Sequence, residues 1–173
     1  LHIAVIGTGG AAMAAALRAV EQGARVTVIE RGTIGGTCVN TGCVPSKTLI
    51  RAGHIAHLRR GSPFDDGIGA CSPTINRPWL VRQQQQLVET LRESKYAGIL
   101  REKRESITFM EGEARFLTSD TLAVTRPGSE EQHVSFDRVF IGTGSRPAIP
   151  DIPGLADTPY LTSTTALTLE SVP

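Results

Sequence analysis

The sequence lacks an excess of either charge, since its 18 basic and 17 acidic residues leave a formal net charge of +1. A nearly neutral chain gives no electrostatic reason to expect nucleic acid or an anionic membrane as its main partner. It also lacks an apolar run of the roughly 18–20 residues that a membrane-spanning helix needs. Its hydrophobic content of 40% still allows a packed core. We therefore expect a soluble, cytoplasmic protein of one domain, or of two at most.

Cysteine is scarce, because Cys38, Cys43 and Cys71 are the only three in the chain. Three is too few, and odd, for the disulfide framework of a small secreted protein. In a reducing cytosol, two cysteines close together in sequence usually carry redox chemistry or bind a metal. The chain starts at Leu1 rather than Met and stops at Pro173, so we also expect it to be a piece of a longer protein.

The first 30 residues have the pattern of a βαβ unit. Apolar and β-branched runs at residues 2–7 and 25–30 predict two buried strands of a parallel sheet. Between them, residues 11–22 are rich in strong helix formers and are followed by Gly23, a typical helix-capping residue. Strand, glycine turn, helix and strand together predict a right-handed crossover.

The rest of the chain alternates between loops, helices and short strands. Periodicity and breaker residues predict, in order, a glycine-rich loop at 32–42, a helix from about 44 to 60, a loop at 61–78, a long and largely exposed helix at 79–104, strands at 107–111, 121–125 and 133–136, a turn at Pro127–Gly128, and a buried strand at 138–141. The predicted fold class is α/β: a Rossmann-like domain with a parallel sheet, a long exposed helix and a small antiparallel β insertion.

Gly7, Gly9 and Ala12 fit the pattern G-x-G-x-x-[G/A] between the first strand and the first helix. The first glycine permits a tight turn, the second lets a pyrophosphate approach the backbone, and the small third residue lets helix and strand pack closely. Glu30, 23 residues after Gly7, can accept hydrogen bonds from a ribose diol and would repel a 2′-phosphate. The pattern predicts the adenosine of FAD or NAD, and leaves open a glycine turn that binds no dinucleotide.

Residues 35–47 read GGTCVNTGCVPSK and place Cys38 and Cys43 five residues apart. On a regular helix five residues rise about 7.5 Å and turn by about 140°. A disulfide needs Cα atoms within about 7 Å, so the pair closes only where the backbone is distorted, for which Gly42 and Pro45 provide the means. Such a small ring adds limited stability, which favours a reducible, redox-active pair.

Lys47 follows Cys43 by four residues and is expected on the same helical face. Its ammonium and the helix N-terminus would both favour a thiolate at Cys43. The alternatives are two incidental thiols or part of a zinc site. Zinc would need further ligands, and those on offer are Cys71, His54 and His57.

The order of glycine turn, acid and GGTCVNTGCVPSK resembles the flavoprotein disulfide reductases, and the resemblance extends through nearly the whole chain. GTGSRPAIPDIPG at residues 142–154 is similar to the second glycine-bearing FAD segment of that family. Within the family, GTGGAAMAAALRAVEQGA, SPFDDGI and KYAGIL resemble the mercuric reductase branch. The resemblance implies that residues 1–173 are part of an FAD-binding domain. It also implies that the domain binding NADPH and the dimerisation domain lie outside this chain.

The resemblance also assigns roles to individual residues. It implies that Cys43 is the thiolate beside the flavin, that Cys38 is the exchange thiol facing the substrate, and that Lys47 lies at the reactive edge of the flavin. The implied FAD-binding set is Gly7, Gly9, Ala12, Glu30, Gly32, Thr37, Lys47, Ala114, Thr143 and Gly144.

The implied reaction is the NADPH-dependent reduction of Hg(II) to elemental mercury by a homodimeric flavoprotein. Electrons would pass through FAD to the Cys38–Cys43 disulfide, and the resulting thiolates are soft ligands suited to transient binding of Hg(II). One alternative is a dihydrolipoyl dehydrogenase or another disulfide reductase, in which Cys38 attacks a substrate disulfide. An alternative of another class is a soft-metal-binding protein without catalysis. We expect these 173 residues alone to be inactive.

Overall fold

The computed structural model describes residues 1–171, which form two compact units. The first unit contains Leu1–Asn40 and Thr90–Ser145, and the second contains Thr41–Glu89 and the chain from Arg146 onward. Within the described part of the chain, no helix is both long and apolar enough to cross a membrane.

A four-stranded parallel sheet forms the centre of the first unit, with the strand order β3-β2-β1-β7. The strands are β1 (His2–Ile6), β2 (Arg25–Glu30), β3 (Ile107–Glu111) and β7 (Arg138–Ile141). Helix α1 (Gly10–Glu21) connects β1 to β2, which pair in register so that Val5 lies opposite Val28. The predicted βαβ unit and the predicted strand at 138–141 are therefore confirmed. The expectation that this strand is buried is wrong, because β7 lies at the edge of the described sheet and none of its residues is buried.

The two faces of this sheet are buried by different partners, because successive side chains of a strand point to opposite faces. On one face the buried residues of the sheet cluster with those of α1: Val5, Ala12, Met13, Ala16, Val26, Val28, Leu100 and Ile107. On the other face they cluster with residues from a second sheet: Ala4, Ile29, Leu122, Val124, Val134 and Phe136. The sheet is thus the middle of three layers.

The second sheet is antiparallel, with the order β4-β5-β6, and it confirms the predicted antiparallel insertion. Its strands are β4 (Glu113–Phe116), β5 (Thr121–Thr125) and β6 (Gln132–Ser135). Sequence reasoning missed β4, whose residues EARF carry two charged side chains and no buried one. This edge strand is specified by pairing with β5, where Phe116 lies opposite Leu122, rather than by its own pattern.

The predicted loop at 32–42 is wrong in its second half, because Gly36–Thr41 form helix α2. Gly35 and Gly36 adopt left-handed φ angles of 106° and 67°, which turn the chain into this helix. Asn40 then donates from its side chain to the carbonyls of Ile34 and Gly36, at 3.0 and 2.9 Å. Local hydrogen bonds thus stabilise a helix that the glycine-rich sequence does not predict.

The later helices agree with the prediction except at one turn. They are α3 (Cys43–Arg60), α4 (Arg77–Arg92) and α5 (Gly98–Glu102). A π-helical turn, Glu93–Ala97, separates α4 from α5. Inserting an i→i+5 turn rotates the residues that follow, so the buried Leu100 joins the core on the α1 side of the parallel sheet.

The core of the second sheet provides a stability prediction. Leu122 is fully buried, so Leu122→Ala should lower the free energy of unfolding by about 2–5 kcal/mol. Leu117→Ala, at a side chain that is 38% exposed, is the matched control and should cost less than about 1 kcal/mol. Urea unfolding followed by circular dichroism measures both values. Equal losses in the two variants would contradict the proposed layer packing.

Candidate functional site

A cavity of about 410 Å³ lies at the carboxyl ends of the parallel strands of the first unit. The turns that follow β1, β2, β3 and β7 all contribute to its wall. The lining residues with a predicted cofactor role are Gly7, Gly9, Glu30, Thr37, Ala114, Thr143 and Gly144. In open α/β sheets, ligands bind at this edge of the sheet.

Glycine is required where the turns around the cavity approach each other. Gly7 has a φ of +107°, and a Cβ there would lie 2.3 Å from the carbonyl oxygen of Gly142. Gly36 has a φ of +67°, and a Cβ there would lie 2.6 Å from the Cα of Gly9. Side chains at these two positions would collide with backbone atoms. Glycine at both positions therefore lets the turns that form this glycine-rich wall, the glycine cradle, approach each other closely.

Ala12 does not line the cavity, but it packs α1 closely against the residue that follows β7. Its side chain is 1% exposed, and a Cβ built on Gly142 would lie 2.8 Å from the Cβ of Ala12. A larger residue at position 12 would therefore push α1 away from the end of β7. This close contact is the packing role that the glycine motif predicts for its last position.

The N-terminus of α1 has the properties of an anion site. Helix α1 begins at Gly10 after Gly9, which provides no side-chain cap, and its first turn contains no acidic residue. The first amides of a helix lack intrahelical acceptors and carry a partial positive charge. These donors and the open glycine cradle fit the pyrophosphate of a dinucleotide.

Glu30 is held by the protein at both of its carboxylate oxygens. Oε2 accepts hydrogen bonds from the backbone N–H of Thr8 at 3.0 Å and from its hydroxyl at 2.6 Å. Oε1 accepts one from the N–H of Gly32 at 2.9 Å. Gly32 was expected to contact the cofactor, but in the structure it positions Glu30 and lies outside the cavity lining.

Thr8 is a site residue that sequence reasoning missed. It is completely buried, lines the cavity, and bonds to Glu30. The glycine motif treats its position as variable, so the motif alone gives no reason to select it. The available signal was its hydroxyl, which is a hydrogen-bonding group inside an otherwise glycine- and alanine-rich turn.

The cysteines lie on the helices that follow this cradle. Cys38 is on α2 and Cys43 is the first residue of α3, and both are exposed. Gly42, with φ −127° and ψ −111°, interrupts the helix between them, which confirms the predicted backbone distortion. Pro45 is buried in the first turn of α3, where a missing N–H is tolerated. The disulfide between Cys38 and Cys43 remains a prediction.

Lys47 and Cys43 belong to the second unit and are not part of the cavity lining. Lys47 is exposed one turn after Cys43 on α3, as the spacing predicted. Among residues 1–171, no group of three or more His, Cys, Asp or Glu side chains could hold a metal ion. The zinc alternative therefore has no ligand set in the described part of the chain.

Fold and site together define a Rossmann-like dinucleotide-binding protein whose first βαβ unit is followed in sequence by two cysteines. Residues 1–173 match the family model described as pyridine nucleotide-disulphide oxidoreductase, and the chain belongs to this family. The family and the mercuric reductases related to this chain use FAD and NADPH. The resemblance to flavoprotein disulfide reductases is confirmed.

Two curated relatives are mercuric reductases. That of Shigella flexneri is 64% identical over 173 residues, which cover 100% of this chain and 30% of the relative. That of Acidithiobacillus ferrooxidans is 62% identical over 173 residues, with 100% and 31% covered. The chain thus spans about 30% of the length of these curated relatives.

A solved structure is similar to the whole described fold. The Cu(II) complex of the HOCl-induced flavoprotein disulfide reductase RclA from Escherichia coli superimposes with a TM-score of 0.79 at 28% identity. The match covers 98% of this chain and 34% of that chain. The fold class assigned from sequence is therefore confirmed.

The glycine cradle gives a second stability prediction. Gly36→Ala should lower the free energy of unfolding by about 1–3 kcal/mol, because it combines a left-handed φ with a Cβ 2.6 Å from Gly9. Gly10→Ala is the matched control, since a Cβ there meets nothing within 4 Å and alanine favours the helix. Urea denaturation midpoints measure the difference. A Gly36→Ala midpoint equal to that of Gly10→Ala would show that the two turns are not packed as described.

Proposed function

We propose that this chain is part of the FAD-binding domain of a flavoprotein that uses Cys38 and Cys43 to reduce Hg(II) to elemental mercury with NADPH. The observation that carries the proposal is the cavity lined by glycines and by Glu30, in a chain that also contains the motif GGTCVNTGCVPSK. The identity of 64% to a mercuric reductase over the whole chain supports the choice of substrate. The domain that binds NADPH and the dimerisation domain are proposed to lie outside these residues.

The cavity residues have distinct proposed contacts with FAD. The first amides of α1, with Gly7 and Gly9, would bind the pyrophosphate, and Glu30 would accept a hydrogen bond from the adenosine ribose. The backbone of Ala114 would meet the adenine. Thr37, Thr143 and Gly144, which line the same cavity, would complete the set. When bound, FAD supplies two-electron transfer between NADPH and the thiol pair.

Cys43 is proposed to be the thiolate of the pair that is stabilised by the protein. It begins the 18-residue helix α3, whose first turn contains no acidic residue and whose N-cap, Gly42, has no side chain. The start of this helix and the ammonium of Lys47 one turn later are the two features from which the sequence predicts this role. Cys38, exposed on α2, is proposed to be the exchange thiol.

The reduced pair provides two soft thiolate ligands for a soft cation. Overall, NADPH and Hg(II) would give NADP⁺, a proton and Hg(0), so the two electrons that NADPH loses are those that mercury gains. The thiolates would hold Hg(II) during the transfer and remain thiolates afterwards. In the alternative, the same reduced pair passes its electrons to a substrate disulfide by thiol exchange.

The substrate proposal is tested on the full-length protein that contains this chain. We expect it to be yellow, to release FAD on denaturation, and to release volatile mercury from Hg(II) only with NADPH. Lipoamide reduction without mercury release would instead support the disulfide reductase alternative. A colourless protein that binds mercury without releasing flavin would support the metal-binding alternative. The 173 residues alone should show no NADPH-driven turnover.

The division of roles between the cysteines has a spectroscopic test in the same full-length protein. Cys38→Ala should leave Cys43 as a thiolate near oxidised flavin and produce a long-wavelength absorption band, whereas Cys43→Ala should lack that band. Cys71→Ala is the matched control, because Cys71 is an exposed cysteine outside the motif. Its spectrum should match that of the unsubstituted protein. Identical spectra for Cys38→Ala and Cys43→Ala would refute the assigned roles.

A further inference from the structure

The hydroxyl of Thr8 makes two hydrogen bonds although no solvent reaches the residue. It donates to Oε2 of Glu30 at 2.6 Å and accepts from the backbone N–H of Gly35 at 3.0 Å. One side chain thus connects the turn after β1, the end of β2 and the loop that leads into α2. Because Gly35 N–H occupies one side of the hydroxyl oxygen, the hydroxyl proton is directed toward Glu30.

The Gly35 donor cannot move away easily. Gly35 is buried and has a φ of +106°. A Cβ built on it would lie 2.5 Å from the side chain of Val39, which shows how closely the loop is packed. The N–H of Gly35 is therefore held in one position, and its hydrogen bond fixes the orientation of the Thr8 hydroxyl.

The two oxygens of Glu30 differ in the acceptor capacity that remains. Each carboxylate oxygen offers about two acceptor positions. Oε2 already accepts the N–H and the hydroxyl of Thr8, whereas among the donors of residues 1–171 Oε1 accepts only the N–H of Gly32. Oε1 therefore keeps one acceptor position, and Glu30 lines the cavity.

We propose that Thr8 is a positioning residue that saturates Oε2 of Glu30 and thereby makes Oε1 the oxygen that accepts a ribose hydroxyl. This inference depends on the proposed function, because it takes the ligand of the cavity to be FAD. It assigns no contact between Thr8 and the cofactor. Thr8 acts through Glu30, and its effect is specific to the ribose.

The test compares FAD with an analogue in which the adenosine is replaced by 2′,3′-dideoxyadenosine. Dissociation constants are measured by flavin fluorescence on the full-length protein after removal of its flavin. The ratio of the two constants reports recognition of the ribose hydroxyls, and a general loss of stability does not change it. We expect the unsubstituted protein to prefer FAD by about tenfold or more, the size of one well-made hydrogen bond to a charged group.

Thr8→Val keeps the shape of the side chain and removes its hydroxyl. We expect its preference for FAD to fall to less than about threefold, because one of the three hydrogen bonds that orient the Glu30 carboxylate is lost and Oε2 regains an acceptor position that competes with Oε1. Thr8→Ser should restore the preference. Thr27→Val is the matched control, since Thr27 is a buried threonine on β2 whose hydroxyl pairs with the ring of His2 at 2.9 Å. Its preference should equal that of the unsubstituted protein.

Glu30→Gln provides a second variant in case Thr8→Val does not fold. The single carbonyl oxygen of the glutamine should be taken by the two donors of Thr8, which leaves the NH₂ group at the position of Oε1. This NH₂ group cannot accept the ribose O–H and can only donate a neutral hydrogen bond to its oxygen, so the preference for FAD should fall to less than about threefold. Retention of the full preference in Thr8→Val, or in a folded Glu30→Gln, would overturn the inference. Failure of the unsubstituted protein to bind FAD at all would instead overturn the proposed function.

Discussion

The close approach of backbone segments at the carboxyl edge of the parallel sheet is the constraint on which the site depends. Gly7 meets Gly142 and Gly36 meets Gly9, in each case with too little space for a Cβ. These contacts bring the turns after β1, β2 and β7 together around one cavity. Where glycines line the cavity, its wall is backbone that a pyrophosphate can approach closely.

The same constraint explains which parts of the site could be predicted from sequence. Gly7, Gly9, Ala12 and Glu30 follow from a motif in which each residue type has its own steric or hydrogen-bonding reason. The role of Thr8 could not be derived in this way. It depends on bonds to residues 22 and 27 positions away, so it exists only once the fold has formed.

Most of the fold was predictable for a related reason. β1 and β2 are central strands of a sheet covered on both faces, and β7 is an edge strand with no buried residue, but all three have continuous apolar or β-branched runs that identify them. The edge strand β4 and helix α2 have no such pattern, because β4 is specified by its pairing with β5 and α2 by the side chain of Asn40. Sequence reasoning therefore found the segments that carry their own hydrophobic pattern and missed those specified by a neighbour.

Fold and substrate are specified at different levels in this chain. The similarity to RclA, with a TM-score of 0.79 at 28% identity, shows that the fold persists while most residues change. A fold that tolerates such divergence supports the class of cofactor but leaves the substrate open, because one fold can host many reactions. The identity of 64% to a mercuric reductase is stronger evidence for the substrate than the shared fold is, because it includes surface residues that the fold does not require. The case for Hg(II) therefore depends on those residues, whereas the case for FAD depends on the backbone cradle.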